Sequence, residues 1–210
     1  LNPKGETMPY YYYNSTGLLP VLICALFALW ASHNVNSTFK KYAKQFSSRG
    51  ITGAQAAQRV LSANGVYGVK IVKVAGNLTD HFDPRANVIR LSDSVYDSCS
   101  TAAIGVACHE AGHAVQYATN YGPIKLRAAI IPITSIGSRL AMPLILLGVL
   151  MTFLGDFSYL FVYLGIACFG FSLVFQLVTL PVEFNASRRA MIAISDTDML
   201  TPEEQTGARK

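Results

Sequence analysis

The chain has 210 residues, of which 51% are apolar and 14% charged, with a formal net charge of +5 and a mean hydropathy of +0.34. A soluble globular chain carries about 25% charged residues, so a wholly water-soluble protein is excluded, and the 11 Phe and 11 Tyr exclude disorder. Cys24, Cys99, Cys108 and Cys168 show no paired spacing, which excludes a disulfide framework and a C-x-x-C zinc site and suits a reducing compartment.

Residues 1–16 read as an N-terminal tail, with 1–7 preceding Met8 and set apart from the fold. The uncharged run 17–32 is expected to be a transmembrane anchor, lengthened toward Tyr10 because a crossing helix needs about 20 residues. Tyr10, Tyr11, Tyr12 and Tyr13 suit an interfacial aromatic belt, and no small-residue cleavage site favours a signal peptide. Residues 33–139 form a polar domain. It holds 12 Lys and Arg against 5 Asp and Glu, and Lys40, Lys41, Lys44 and Arg49 follow the anchor directly, which predicts a cytoplasmic position. The positive charges are dispersed and no nucleic-acid motif accompanies them, so an anionic lipid membrane is the expected partner and nucleic acid is not.

Within this domain Thr52 and Gln55 form a capping box that opens a helix closed by Asn64-Gly65. Val69–Val74 and Asn87–Leu91 read as two short strands separated by a loop, Ala75–Arg85. Ser100 or Thr101 caps an Ala-rich helix over 100–119, stopped by Asn120-Tyr121-Gly122-Pro123. Two further spans are expected at 140–155, extendable back to Ala128, and at 157–180, after which Pro181 marks a break or kink. The remainder, 181–210, is read as a helix carrying Glu183 and a C-terminal tail on the cytoplasmic side, which makes the whole a multi-pass protein of the cell membrane.

The helix over 100–119 carries His109-Glu110-Ala111-Gly112-His113, an H-E-x-x-H motif. At about 100° per residue the two imidazoles lie about 40° apart on one face, near enough to share one cation. Zinc at a catalytic site takes three protein ligands and water, and Glu110 beside the pair is placed to accept the proton of that water. A third ligand has several candidates. His33 lies at the membrane end of the first span and His81 in the loop between the strands, while Cys108 points roughly 100° away and reads as a small buried hydrophobe. Glu183, the only acid between Asp156 and Asp196, is the strongest of them, its alternative being an interfacial glutamate paired with Arg188 or Arg189.

His109 to Ala114, the upstream string Asn77-Leu78-Thr79-Asp80-His81-Phe82-Asp83-Pro84-Arg85 and the downstream string Leu180 to Ala190 together resemble the YugP-type neutral zinc metallopeptidases of bacterial membranes, over about residues 8–210. The order of anchor, H-E-x-x-H, two spans and a glutamate is more distantly similar to the HtpX-type membrane zinc proteases. That resemblance implies one zinc per chain on His109, His113 and Glu183, with Glu110 as catalytic base. The HtpX-type pattern follows its glutamate with x-x-x-Asp, where this chain has Ser187. YugP-type chains continue into another apolar helix, so one is expected after Lys210.

The expected fold is mainly α with a small β element, a multi-span membrane protein with a zincin-like, helix-centred metalloprotease domain. The expected activity is zinc-dependent endopeptidase cleavage of peptide or membrane-protein substrates at the membrane surface. The strand pair could take an extended substrate by edge addition, and His81, Tyr117, Asn185 and Arg188 are the candidate oxyanion donors. An intramembrane site is disfavoured because only Thr101–Cys108 precede the motif on its helix, too few residues to span. The alternative is a non-catalytic zinc-binding scaffold or chaperone, against which an intact Glu110 argues, since a structural site has no use for a base. An oligomer or a regulatory membrane partner is compatible with either reading.

Overall fold

The computed structural model describes residues 10–151, 153, 155 and 157–210, with side chains described for residue 19 and from residue 22 onward. The structure is mainly helical with one small sheet. The first helix, α1 (Tyr10–Tyr42), contains the expected anchor and continues ten residues past it without interruption. Leu22, Ile23, Leu26, Phe27, Leu29 and Trp30 are all exposed on it, whereas Phe39 packs against the core. Its end is tied to the H-E-x-x-H helix, where the Thr101 hydroxyl donates to the Tyr42 carbonyl at 3.2 Å and the Thr101 amide to that of Gln45 at 2.8 Å.

Helix α2 (Gly53–Ala63) opens with the expected capping box, Thr52 and Gln55 each accepting from the other's backbone amide. Ala56, Ala57, Val60 and Leu61 form its buried stripe, and Gly65, at φ +66°, follows the Asn64 cap. Three strands follow rather than two: β1 (Lys70–Val74), β2 (His81–Asp83) and β3 (Val88–Ser92), in the order β1-β3-β2. β1 runs parallel to β3, and β2 antiparallel to it with His81, Phe82 and Asp83 opposite Arg90, Ile89 and Val88. Asn87 stands just before β3 at φ +51°, in the left-handed region outside the extended strand conformation, and its carbonyl still accepts from the Lys70 amide at 3.2 Å. His81 therefore lies on a strand and not in a loop.

A short helix, α3 (Asp93–Tyr96), leads to α4 (Thr101–Ala118), whose N-cap Ser100 accepts from the Ala103 amide at 3.2 Å. Ala103, Ile104, Ala107, Cys108, Ala111, Ala114 and Val115 are buried, making α4 the centre of the core. Small side chains on this helix let α2 and α6 approach closely.

Two long helices form the remaining body: α5 (Gly122–Leu150) and α6 (Phe157–Asp196). Among the described residues these are the two helices long and apolar enough to cross a membrane. Both sit differently from the uncharged runs. α5 begins at Gly122, well before the expected 140, and ends at Leu150, whereas α6 continues through Pro181 without a break. Each packs on the other through small residues, since a Cβ on Gly148 would lie 2.9 Å from the Ser158 carbonyl and one on Gly165 would lie 2.8 Å from that of Ala141. Ser138 and Ser172 hydroxyls meet at 2.6 Å between them. Their outer faces leave Ile133, Met142, Leu150, Phe169 and Leu177 exposed.

The cytoplasmic tail expected at the end contains a further helix, α7 (Pro202–Ala208), with its own capping box from Thr201 and Glu204. Glu204 also accepts from the Ser48 amide at 2.7 Å, and Met199 and Leu200 are fully buried, so this segment closes the core beside the end of α1.

Candidate metal centre

The site forms where α4 crosses α6. At the crossing a Cβ on Gly112 would lie 2.7 Å from the Ala186 carbonyl oxygen, so glycine is what permits the approach. Val182, Ala186, Ala190 and Ala193 form the buried face of α6 there, and the same approach brings Glu183 and Ser187, one turn apart, against His109. Glu183 Oε2 lies 3.2 Å from His109 Nε2 and 3.3 Å from His113 Nε2. Donors of a tetrahedral zinc at about 2.0 to 2.1 Å lie about 3.3 to 3.4 Å from one another. Ligand atoms of His109, His113 and Glu183 all fall within 4.8 Å of one another, so the three residues fit a metal ion.

The remaining nitrogens and oxygen of the trio are each engaged. His109 Nδ1 is 3.0 Å from Ser187 Oγ, and His113 Nδ1 is 3.0 Å from Gln116 Oε1. Arg127, on the first turns of α5, donates to Glu183 Oε1 at 2.8 Å. Glu183 thus has one oxygen held by a guanidinium and the other turned to both imidazoles. Its partner is Arg127 and neither Arg188 nor Arg189, and the serine at the x-x-x-Asp position still touches His109. Burial lowers the basicity of His113, but hydrogen bonding to Glu183 and the charge of Glu110 outweigh it and leave its pKa raised.

Glu110 lies beside the trio with Oε2 accepting from the Phe82 backbone amide of β2 at 2.9 Å. Burial pushes its carboxyl up; the two histidines and the Phe82 amide pull it back only in part, so its pKa remains raised. The string 77–85 builds the strand that supplies this amide. Asp80 accepts from the Ser92 amide at 2.7 Å, fixing the entry to β2. Asp83 accepts from the Arg85 and Ala86 amides and from Arg90 Nη1, fixing the exit. The Phe82 and Tyr117 rings meet at 5.5 Å.

The other sequence candidates stand apart from the trio. His33 is exposed on α1, His81 turns Nδ1 to the Thr79 carbonyl at 2.8 Å, and Cys108 is fully buried in the core, which pushes its thiol pKa up. Asn185 Oδ1 is occupied by Gln116 and Arg189. Arg188 is exposed at a groove of about 1020 Å³ that has His109 and Glu110 in its wall and runs between α1, α4, α6 and α7. Sequence reasoning missed Arg127, Gln116 and the Phe82 amide. Gln116 carried a signal, since it follows His113 by three residues on one helix; the other two are tertiary pairings.

Residues 18–210 match a family model described as "Putative neutral zinc metallopeptidase". The chain is 44% identical over 183 residues to the "Putative membrane protease YugP" of Bacillus subtilis (strain 168), a match covering 87% of this chain and 79% of that protein. No solved structure matches the chain. With a family match across nearly its whole length and a relative this similar, the chain belongs to the neutral zinc metallopeptidase family that includes YugP.

Proposed function

We propose that this protein is a multi-pass membrane endopeptidase that binds one zinc through His109, His113 and Glu183 and cleaves peptide bonds at the cytoplasmic membrane surface, with Glu110 as its base. The observation that carries the reading is the trio's donor spacing of 3.2 and 3.3 Å beside a carboxylate held by a strand amide. Zinc in such a site supplies Lewis acidity, polarising a carbonyl and acidifying a water. Glu110 takes the proton of the attacking water and passes it to the departing amine. Its Oε2 stays oriented by the Phe82 amide, beside the trio whose water it would deprotonate.

Substrate binding follows from β2. An antiparallel residue turns its N–H and C=O to the same side, and the Phe82 amide faces Glu110, so the edge of β2 away from β3 borders the base. An extended peptide lying along that edge donates to the Phe82 carbonyl, the Phe82 amide being held by Glu110, and brings its scissile carbonyl near the trio. The adjoining groove accommodates several residues, which supports endopeptidase action. The zincin-like reading rests on this combination of an H-E-x-x-H helix with an edge strand above it.

Membrane attachment is supported by the apolar outer faces of α5 and α6 and the exposed apolar side chains of α1. Glu183 follows the apolar part of α6 by a few residues, which supports a site at the surface rather than in the hydrocarbon. The Lys and Arg clusters at 40–49 and 188–189 support the cytoplasmic side and contact with anionic lipid.

The test is cleavage of a peptide library by the purified protein with and without a chelator, alongside Glu110→Gln. Glutamine keeps the shape of Glu110 but cannot accept the proton, so zinc should remain bound while hydrolysis falls by roughly 10² to 10⁴. Zinc binding with no metal-dependent cleavage in the wild type would favour a scaffold or chaperone, and undiminished cleavage by Glu110→Gln would remove Glu110 from the chemistry.

A further inference from the structure

We infer that Gln116, Asn185 and Arg189 are positioning residues that together fix the tautomer of His113 and aim its Nε2 at the metal; the inference rests on the zinc reading above. Arg189 Nε can only donate, and it lies 2.8 Å from Asn185, so the atom it touches is the amide oxygen Oδ1. Gln116 approaches that same oxygen at 3.0 Å and the Val182 carbonyl oxygen at 2.8 Å with one atom. Two acceptors facing it require that atom to be the amide nitrogen Nε2.

The orientation of Gln116 is thereby set from outside the metal site. Its oxygen Oε1 then faces His113 Nδ1 at 3.0 Å and can only accept. Nδ1 must carry the hydrogen, and a neutral imidazole with hydrogen on Nδ1 has its lone pair on Nε2, the atom that faces Glu183. Gln116 is fully buried and His113 is 8% exposed, so no solvent competes for these groups. The relay spans the α4–α6 crossing, and it makes the ligand geometry of α4 depend on side chains of α6.

A merely structural reading has the Gln116 amide clamp α6 to α4 through the Val182 carbonyl with no effect on the metal. The two are separated by metal binding measured on folded protein. Zinc affinity of the full chain in detergent is measured by competition with a chromophoric chelator, and the visible spectrum of the Co²⁺-substituted protein reports ligand geometry. The variants are Gln116→Leu, Asn185→Leu and Asn185→Asp, the last retaining an acceptor oxygen for both Gln116 and Arg189.

Losing a partner that orients a ligating histidine weakens metal binding by about 10- to 100-fold. Gln116→Leu should show that loss and a changed cobalt spectrum, and Asn185→Leu should follow in the same direction. Asn185→Asp should stay within about threefold of wild type because the acceptor is preserved. Wild-type affinity and spectrum in folded Gln116→Leu would overturn the inference, as would equal losses in Asn185→Asp and Asn185→Leu. If Gln116→Leu does not fold, the Asn185 pair decides. A wild type that takes up no zinc overturns the proposed function itself, an outcome read before any variant is compared.

Discussion

Replacing Arg127 with methionine removes the cation while keeping much of the side chain's apolar length. Arg127 Nη1 lies 2.8 Å from Glu183 Oε1, and the two side chains are 31% and 38% exposed. An exposed ion pair contributes about 0 to 1 kcal/mol, and loss of one partner from a fully buried pair costs about 3 to 5 kcal/mol. This pair lies between those limits, and a hydrogen bond to a charged group is worth about 1.5 to 3 kcal/mol before the discount for exposure. A loss of about 1 to 2 kcal/mol in zinc binding follows, which is roughly 5- to 30-fold in affinity. Chelator competition reads it directly. Arg127→Lys should fall between wild type and Arg127→Met, because an ammonium keeps the charge but loses the planar fork that holds one carboxylate oxygen. Unchanged zinc affinity in Arg127→Met would show that Glu183 is oriented by α6 alone and that the contact with α5 is incidental.

Gly112→Ala should destabilise the fold by about 1 to 3 kcal/mol through overpacking, because the new Cβ lies 2.7 Å from the Ala186 carbonyl; it should also weaken zinc binding as α6 carries Glu183 away, read by thermal melting and metal titration. Zinc affinity should fall as pH drops, since the metal needs neutral imidazole, and the raised pKa of His113 in the metal-free protein starts the loss above its ordinary value of 6.5. An affinity that stays flat as the pH is lowered below 6.5 would exclude His113 as a ligand. A cysteine introduced at Tyr67, 79% exposed on the polar domain, should resist impermeant thiol reagents in intact cells and react after lysis; labelling in intact cells would reverse the orientation.

Local rules read the sequence well wherever local contacts decide the structure. The Thr52 box and the Asn64-Gly65 stop delimit α2, and Ser100 caps the H-E-x-x-H helix within a residue of the expected start. They fail where a tertiary contact changes the meaning of a residue. β2 has three residues and sits among Asp, Gly and Pro, so it has no alternation long enough to see; it exists because Asp80 and Asp83 fasten both its ends to β3 or to the turn beside it. Pro181 removes one hydrogen bond from a helix of 40 residues, and α6 nevertheless continues, bearing the face that packs on α4.

The same limit explains what was missed at the site. Lys125 and Arg127 fall inside the polar domain read as 33–139, yet both lie in the first turns of α5, and Arg127 is there to meet a carboxylate on α6. A charge counted with the polar domain is thus a contact between the two long apolar helices beside the metal trio. H-E-x-x-H is legible because its geometry is that of a single helix. Apart from the family resemblance, Glu183 is legible only as a lone acid after an apolar run, and what makes it a fit for the histidines is Gly112, whose missing side chain lets two helices cross closely enough for donors 70 or more residues apart to meet at 3.2 and 3.3 Å. The central x-x of the motif is therefore not neutral filling in this chain: its second residue sets the distance between the helix that carries two ligands and the helix that carries the third.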